Sequence, residues 1–321
     1  MASICEWGRG SGPIMTPHFD VICVGDADVD IYLDVDHIPQ RDEKILASGA
    51  AWYAGGMVAN CAAALSRLGS RCLFHGPVGD DEFGHLVRKD LQSYGVDVSG
   101  IYIKQGAHTY YCVVMLDNSG EKALVVAPTE AIFPIPIELD RKLIASGRHM
   151  HTTAACIDTA MYAARVAREN GLSTSLDLEA SVIPKADEMS LLLKHITILF
   201  VNHQALKNTQ SLELHAAQLL AYGPAIVCIT RGAAGCLVAT HANSWNITAF
   251  AVPVVDSTGA GDTFAAGFIH SYLQEKTVVE AAEFASAVAA LNIQARGGHG
   301  GSPTRTQVEE FMKRADRHNL E

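Results

Sequence analysis

Asp262 follows Gly259, Ala260 and Gly261 directly, inside the run 254–267 (VVDSTGAGDTFAAG). Small residues ahead of a helical stretch leave room beside backbone N–H groups that no preceding turn can satisfy. Such a spot attracts an anion whose charge is spread over several oxygens, as in a phosphoryl group. A carboxylate at its rim can accept the proton of a hydroxyl attacking phosphorus. Gly259, Ala260 and Gly261 therefore read as an anion cradle and Asp262 as a general base. Gly-Ala-Gly-Asp alone would fit a glycine-rich turn with a capping aspartate, but the longer string D-S-T-G-A-G-D-T-F-x-A-G is far rarer by chance.

The elements that must position these residues show in the hydrophobic pattern. Residues 19–25 (FDVICVG) read as a buried first strand, followed by Asp26, Asp28 and Asp30 at alternate positions. Helices are predicted over 57–68, 82–94, 158–170, 211–221, 262–274 and 278–294, and strands over 71–75, 149–153, 173–178, 196–202 and 225–230. This alternation predicts a parallel sheet with helices on both faces. The strand-rich segments 31–52 and 98–127 do not fit that sheet. They are expected to form a small β lid, the second with a hairpin turn at Asp117-Asn118-Ser119-Gly120. One compact domain over 19–315 is expected, after an extension at 1–18 predicted to be disordered, with Met15 as an alternative start.

Composition excludes several classes. The 321 residues carry a net charge of −11, with 18% charged and 49% hydrophobic residues. An acidic chain without a Lys/Arg cluster is no nucleic-acid partner. No apolar stretch approaches the ~20 residues of a membrane span, and the N-terminus lacks the apolar core of a secretory signal. The eight cysteines form no C-x-x-C pair, which favours reduced, buried thiols in a cytoplasmic protein. His149 and His151 alternate on one strand without a third metal ligand, so they read as core histidines. The first strand ends without G-x-G-x-x-G, which speaks against a dinucleotide-dependent dehydrogenase.

The run 254–267 resembles the second signature of the ribokinase/PfkB carbohydrate kinases. Residues 54–60 (AGGMVAN), Leu68-Gly69 and 76–84 (GPVGDDEFG) are similar to the first signature, more loosely, with Val58 where the family carries a small residue or proline. The resemblance spans nearly the whole chain. It implies a three-layer α/β/α sandwich with a mainly parallel sheet and a β-sheet lid, ATP with Mg2+ as donor, and a sugar hydroxymethyl group as acceptor. A homodimer joined through the lid is expected, because pairing buries exposed strand edges.

By position, the resemblance implies that Asp30 and Asp28 bind substrate hydroxyls, whereas Asp26 is expected as a solvated strand-end charge. Gly55 and Gly56 would let backbone approach the sugar, and the Asn60 amide suits a diol. Thr230, Gly232 and Gly235 match a T-x-G-x-x-G nucleotide loop. Asn202 and Asn292 fall on the nucleotide side, Asn292 with Gly297 and Gly298 near adenine and a cation loop. Asp256 and Thr258 match the start of that loop, which makes K+ a candidate activator. One departure concerns the family's N-x-x-E: after Asn202 the fourth position is Ala205. Ketose-kinase branches share that departure, which favours a ketose. Asp177-Leu178-Glu179 fits either a phosphate- or metal-facing group or an ordinary strand end. Trp52, Tyr110 and Tyr111 of the lid either cover the sugar or pack the lid. The rival functions are a nucleoside kinase of the same fold and a catalytically weak sugar sensor.

Overall fold

The computed structural model describes residues 18–118, 122–179, 186–206 and 210–318. Strand β1 (Val21–Val24) leads into β2 (Asp28–Val35) and β3 (Gly49–Gly55). Helix α1 (Met57–Arg67), β4 (Cys72–Gly79), α2 (Glu82–Ser93) and β5 (Asp97–Lys104) follow, then the antiparallel pair β6 (Tyr111–Asp117) and β7 (Lys122–Ala127). The next stretch alternates: α3 (Arg141–Ala145), β8 (His149–Thr153), α4 (Ile157–Glu169), β9 (Ser173–Leu178), α5 (Ala186–Leu193), β10 (Ile198–Asn202), α6 (Leu212–Ala221) and β11 (Ile226–Thr230). The chain closes with β12 (Cys236–Thr240), β13 (Ser244–Ile247), α7 (Ala260–Leu273), α8 (Val278–Asn292) and α9 (Arg305–His318).

Nine strands form one sheet in the order β13-β12-β11-β10-β9-β8-β1-β4-β5, and four form a second, β3-β2-β6-β7. From β11 to β5 the large sheet is parallel. Parallel strands are covered on both faces and so read as continuous apolar runs. In β1 all four residues are buried: Val21 and Cys23 join the core under α1, α7 and α8, while Ile22 and Val24 join the core under α4 to α6. His149 and His151 fill this sheet as core residues, hydrogen-bonded to Ser173 and Ser175. Seven described cysteines are free thiols. No described helix is long and apolar enough to cross a membrane.

Three expectations need correction. The stretch 98–104, expected in the lid, belongs to β5, which pairs with β4 in the large sheet. It is an edge strand with one open side, so its alternating burial resembles that of a lid strand. The lid begins at Asp28 and so takes in the whole of β2. The antiparallel pair β12 and β13 also extends the sheet, beyond the helix-and-strand alternation. Residues 1–17 of the expected extension, and Ser119 and Gly120 of the expected turn, lie outside the described residues.

Helix α1 begins at Gly56, which has no side chain to cap it. A Cβ there would lie 2.7 Å from Ala27 Cα. The cap comes instead from Asp26, whose carboxylate accepts the amides of Met57 (3.0 Å) and Val58 (3.3 Å) and the Tyr110 hydroxyl (2.8 Å). The expected solvated charge is thus buried, at 2% exposure, because it satisfies orphan helix amides. Asp26→Ala should destabilise the protein by about 1–3 kcal/mol, the cost of leaving buried donors unpaired. Denaturant unfolding checks this, and an unchanged midpoint would show that the cap is dispensable.

Candidate active site

The carboxyl ends of the parallel strands gather at one edge of the large sheet. From β1 the chain builds outward through β4 and β5, then returns through β8 to build the other way. A crevice opens at such a switch point. Asp26 to Asp30 leave β1 beside it, and Asp177 and Asn202 end β9 and β10.

Helix α7 points its N-terminus into this region. Its cap, Gly259, has φ +70°, and a Cβ there would lie 1.8 Å from the Gly298 carbonyl oxygen. Ala260 and Thr263 donate their amides to Ser257 and Gly259. The amides of Gly261 and Asp262 have no acceptor among the described residues. In front of Gly261 is open space: a Cβ there would meet only Asp177 Oδ2, at 4.0 Å. Gly259 thus shapes the turn, and Gly261 leaves space open in front of the free amides.

Asp262 is buried, 7% exposed, and accepts a 2.7 Å hydrogen bond from Asn60 Nδ2 on α1. Burial drives its pKa well above the usual carboxylate range and Asp177 adds to this, while the Asn60 hydrogen bond opposes it. A carboxylate with raised proton affinity, placed beside free helix amides, is equipped to take a proton where negative charge gathers. Asn60 Oδ1 in turn faces His299 Nδ1 at 2.7 Å.

On the lid side, Asp28 and Asp30 project toward Gly55: a Cβ there would lie 2.5 Å from Asp28 Oδ1 and 2.6 Å from Asp30 Oδ2. Burial, then the charge of Asp30, raises the Asp28 pKa; burial, then Asp256, raises that of Asp30 to about 6. Asp28 Oδ1 is buried without a hydrogen-bond partner. A substrate hydroxyl would supply the missing donor. Cys112 joins these two carboxylates with ligand atoms close enough for an ion. Its Sγ–H already donates to Asp28 Oδ2 and its pKa is raised, so a thiol and not a thiolate stands there.

On the other side, Asn202 and Thr230 sit in register at the ends of β10 and β11. After Thr230, Gly232 (φ +57°) meets nothing within 4 Å, and Gly235 (φ +81°) packs its backbone on Ile247. Arg231, just before Gly232, has a buried Nε without a hydrogen-bond partner. With Asp28 Oδ1 it makes the two buried side-chain atoms left unpartnered among the described residues, in the expected nucleotide and sugar segments. A loop open at Gly232 and free amides at α7 fit a nucleoside triphosphate. Ala205 packs against the apolar core as expected of an alanine, and the carboxylates beside the α7 terminus come from the end of β9 and the residue after it: Asp177 near Gly261, with Glu179 close enough to raise the pKa of both Asp177 and Asp262. These two would hold a magnesium ion arriving with the nucleotide.

Two assignments change. Asn292 is fully buried and donates to the Gly298 carbonyl, with Ser302 on its oxygen, so it shapes the 298–302 loop and does not face a nucleotide. Asp256 accepts the Tyr32 hydroxyl (2.6 Å), the Gly297 amide, and the Thr258 amide and hydroxyl. Lys122 of β7 donates to Thr258 and lies 3.9 Å from Asp256. That carboxylate is filled by protein donors and a lysine, which does not fit an open cation cage. The aromatic residues also separate: Tyr110 binds Asp26, Tyr111 packs on Phe83, and Trp52 is 53% exposed. Tyr53, opposite Asp30 on β3, takes that side of the lid and packs on Tyr32 and Gly297. Sequence reasoning missed Tyr32, Tyr53, Lys122, Asp90 and His299, none of which lies in a motif.

A two-sheet fold with a helix-terminal phosphate cradle and a neighbouring carboxylate defines a class of sugar kinases. The chain belongs to the pfkB family of carbohydrate kinases, whose family model matches residues 18–305. It is 33% identical over 294 residues to the ATP-dependent ribose-1-phosphate kinase of Halopiger xanaduensis, covering 91% of this chain and 97% of that one. It is 28% identical over 306 residues to fructokinase-2 of Solanum lycopersicum, covering 87% and 93%. The Arabidopsis thaliana ribokinase solved with ribose and ATP superposes with a TM-score of 0.81 at 26% identity, covering 93% and 99%. The fold is ribokinase-like, as the sequence resemblance implied.

Asp177 offers a test of the buried charge. Burial raises its pKa from 3.8 to about 7, so the folded protein holds a proton there that the unfolded chain releases at lower pH. Its contribution to stability is present below the unfolded value and is lost as pH rises through about 7. The melting temperature of Asp177→Asn relative to the parent should therefore be higher at about pH 8 than at about pH 5. A difference independent of pH would contradict the shift.

Proposed function

We propose that the protein transfers the γ-phosphoryl group of ATP to a hydroxymethyl group of a sugar, in line, with Asp262 as general base. The observation that carries this reading is the buried Asp262 carboxylate next to the unpaired amides of Gly261 and Asp262. Asp28 and Asp30, against Gly55, orient the sugar by accepting its hydroxyl protons. With the sugar so held, the attacking hydroxyl loses its proton to Asp262, and the α7 amides neutralise charge growing on the transferred group. Thr230, Arg231, Gly232 and Asn202 bind the nucleotide. Magnesium, held by the phosphates with Asp177 and Glu179, would lower the charge repulsion between nucleophile and phosphate.

Ketoses and ribose-type sugars are the substrate classes to test first. The Ala205 departure and the fructokinase relatives support the former; the ribose-1-phosphate kinase and the ribokinase support the latter. Two neighbouring buried carboxylates disfavour an anionic group at the Asp28–Asp30 end of the sugar. Potassium activation has less support, because Lys122, Tyr32 and the loop amides already serve Asp256.

Asp262→Asn should lower turnover about 10²–10⁴-fold while retaining nucleotide binding. An ADP-release screen over ketoses, hexoses, pentoses, pentose phosphates and nucleosides, run in potassium and in sodium, measures it. Parent-like turnover in the variant would remove the base role.

The lid also supports a homodimer. Val125 and Leu124 on β7 and Trp52 on β3 are about half exposed, on strands at the two edges of the lid sheet. An apolar strand with unpaired backbone is a template for pairing with a second copy. Light scattering at micromolar concentration should give twice the chain mass, and Val125→Glu should shift it toward monomer. A monomer in the parent protein would count against this.

A further inference from the structure

The carboxylate of Asp262 is one end of a chain of side chains drawn from four separate segments. Asn60 Nδ2 donates to Asp262 at 2.7 Å, Asn60 Oδ1 meets His299 Nδ1 at 2.7 Å, and His299 Nε2 meets Asp90 Oδ2 on α2 at 2.7 Å. Asn60 and His299 are 4% and 3% exposed, so the bonds from Asp262 through Asn60 to His299 are shielded from water. The amide is also confined from behind: a Cβ on Gly298 would lie 2.4 Å from Asn60 Nδ2.

The donor and acceptor inventory then leaves one arrangement for an ionised base. A carboxylate only accepts, so Asn60 must turn its NH2 to Asp262 and its oxygen to His299. The ring nitrogen facing that oxygen must carry a proton. Asp90 also only accepts, so Nε2 carries one as well. If Nδ1 lost its proton, the ring would need a donor from Asn60. The amide would then present its oxygen to Asp262, and two acceptors would face each other beside the anion cradle.

We propose that His299 is a positioning residue for phosphoryl transfer: held by Asp90, its Nδ1–H fixes the orientation of the Asn60 amide, and that amide keeps Asp262 ionised and aimed at the acceptor hydroxyl. This rests on the assignment of Asp262 as the base. The groups around the ring are Asp90 of α2, Tyr94 at the C-terminal cap of that helix, whose ring packs edge-on at 4.8 Å, Asn60 of α1, and Asp30 of β2, whose carboxyl the ring charge favours in its ionised form. A cleft of about 310 Å³, bordered by Tyr53, Lys89, Asp90, Tyr94 and Gly300, opens beside the same imidazole.

The test compares side chains that restore one nitrogen at a time. His299→Phe keeps a ring and removes both donors. His299→Asn places an NH2 near the Nδ1 position, whereas His299→Gln reaches only the Nε2 position. Using the full-length protein and the best sugar from the ADP-release screen, His299→Phe and His299→Gln should lower kcat by about 10–100-fold, with the KM for ATP unchanged. His299→Asn should recover most of that loss at an equal melting temperature. Parent-like kcat in His299→Phe, or equal losses in His299→Asn and His299→Gln, would overturn the proposal. Nitrogen NMR of the ring, assigned with His299→Phe, gives a readout that needs no substrate: Nδ1 should be protonated at neutral pH, and an unprotonated Nδ1 would also overturn it. Asp262→Asn serves as the control. Full turnover there refutes the base itself, whereas a dead Asp262→Asn beside an active His299→Phe refutes only the role of His299.

Discussion

A carboxylate held away from water at the head of a helix is the constraint around which the molecule is arranged. Burial alone would keep Asp262 protonated, and a neutral acid cannot draw a proton from an alcohol. Two features work against that outcome. The Asn60 amide bonds the charged form, and the first turn of α7 presents unpaired N–H groups. The second belongs to the segment that carries the aspartate, but the first does not. Helix α1 supplies the amide, and the capping of α1 by Asp26 sets where that amide sits.

The lid is attached to the body by a second cluster of polar contacts. Tyr32 of β2 donates to Asp256, Lys122 of β7 donates to Thr258, and Arg296 pairs with both oxygens of Asp34. The first two join lid strands to the loop before α7, and the third joins β2 to the loop after α8. The same lid presents Asp28 and Asp30 to the crevice. The position of Asp28 and Asp30 is thereby tied to the position of the first turn of α7. A ligand held between them would meet two surfaces already in register, and preorganisation of this kind lowers the entropic cost of assembling a reactive geometry.

Much of this was legible in the chain itself, for physical reasons that differ from residue to residue. Buried parallel strands are unbroken apolar runs, so β1, β8, β9 and β11 could be located to within a few residues. The small-residue run before α7 is a local steric requirement, and local requirements leave local motifs. His299 and Asp90 left none: they lie 239 and 30 residues from Asn60, and only the folded chain brings them into line. Asn292 was misread because a polar side chain near a glycine loop looks the same whether it faces a ligand or holds the loop from within. Asp26 was misread because its partners are amides 31 and 32 residues away, although the bare Gly56 at the start of α1 hinted that a cap must come from elsewhere. The short strands β12 and β13 carry too few residues for a clear period, and pairing with their neighbours decided them.

Gly259 and Gly298 touch backbone to backbone, one before α7 and one in the loop after α8. Neither has room for a methyl group. At Gly259 the obstacle is the Gly298 carbonyl, and at Gly298 it is the Asn60 amide. A bulkier residue at either place would push on the contacts that hold Asp262 without itself touching a ligand.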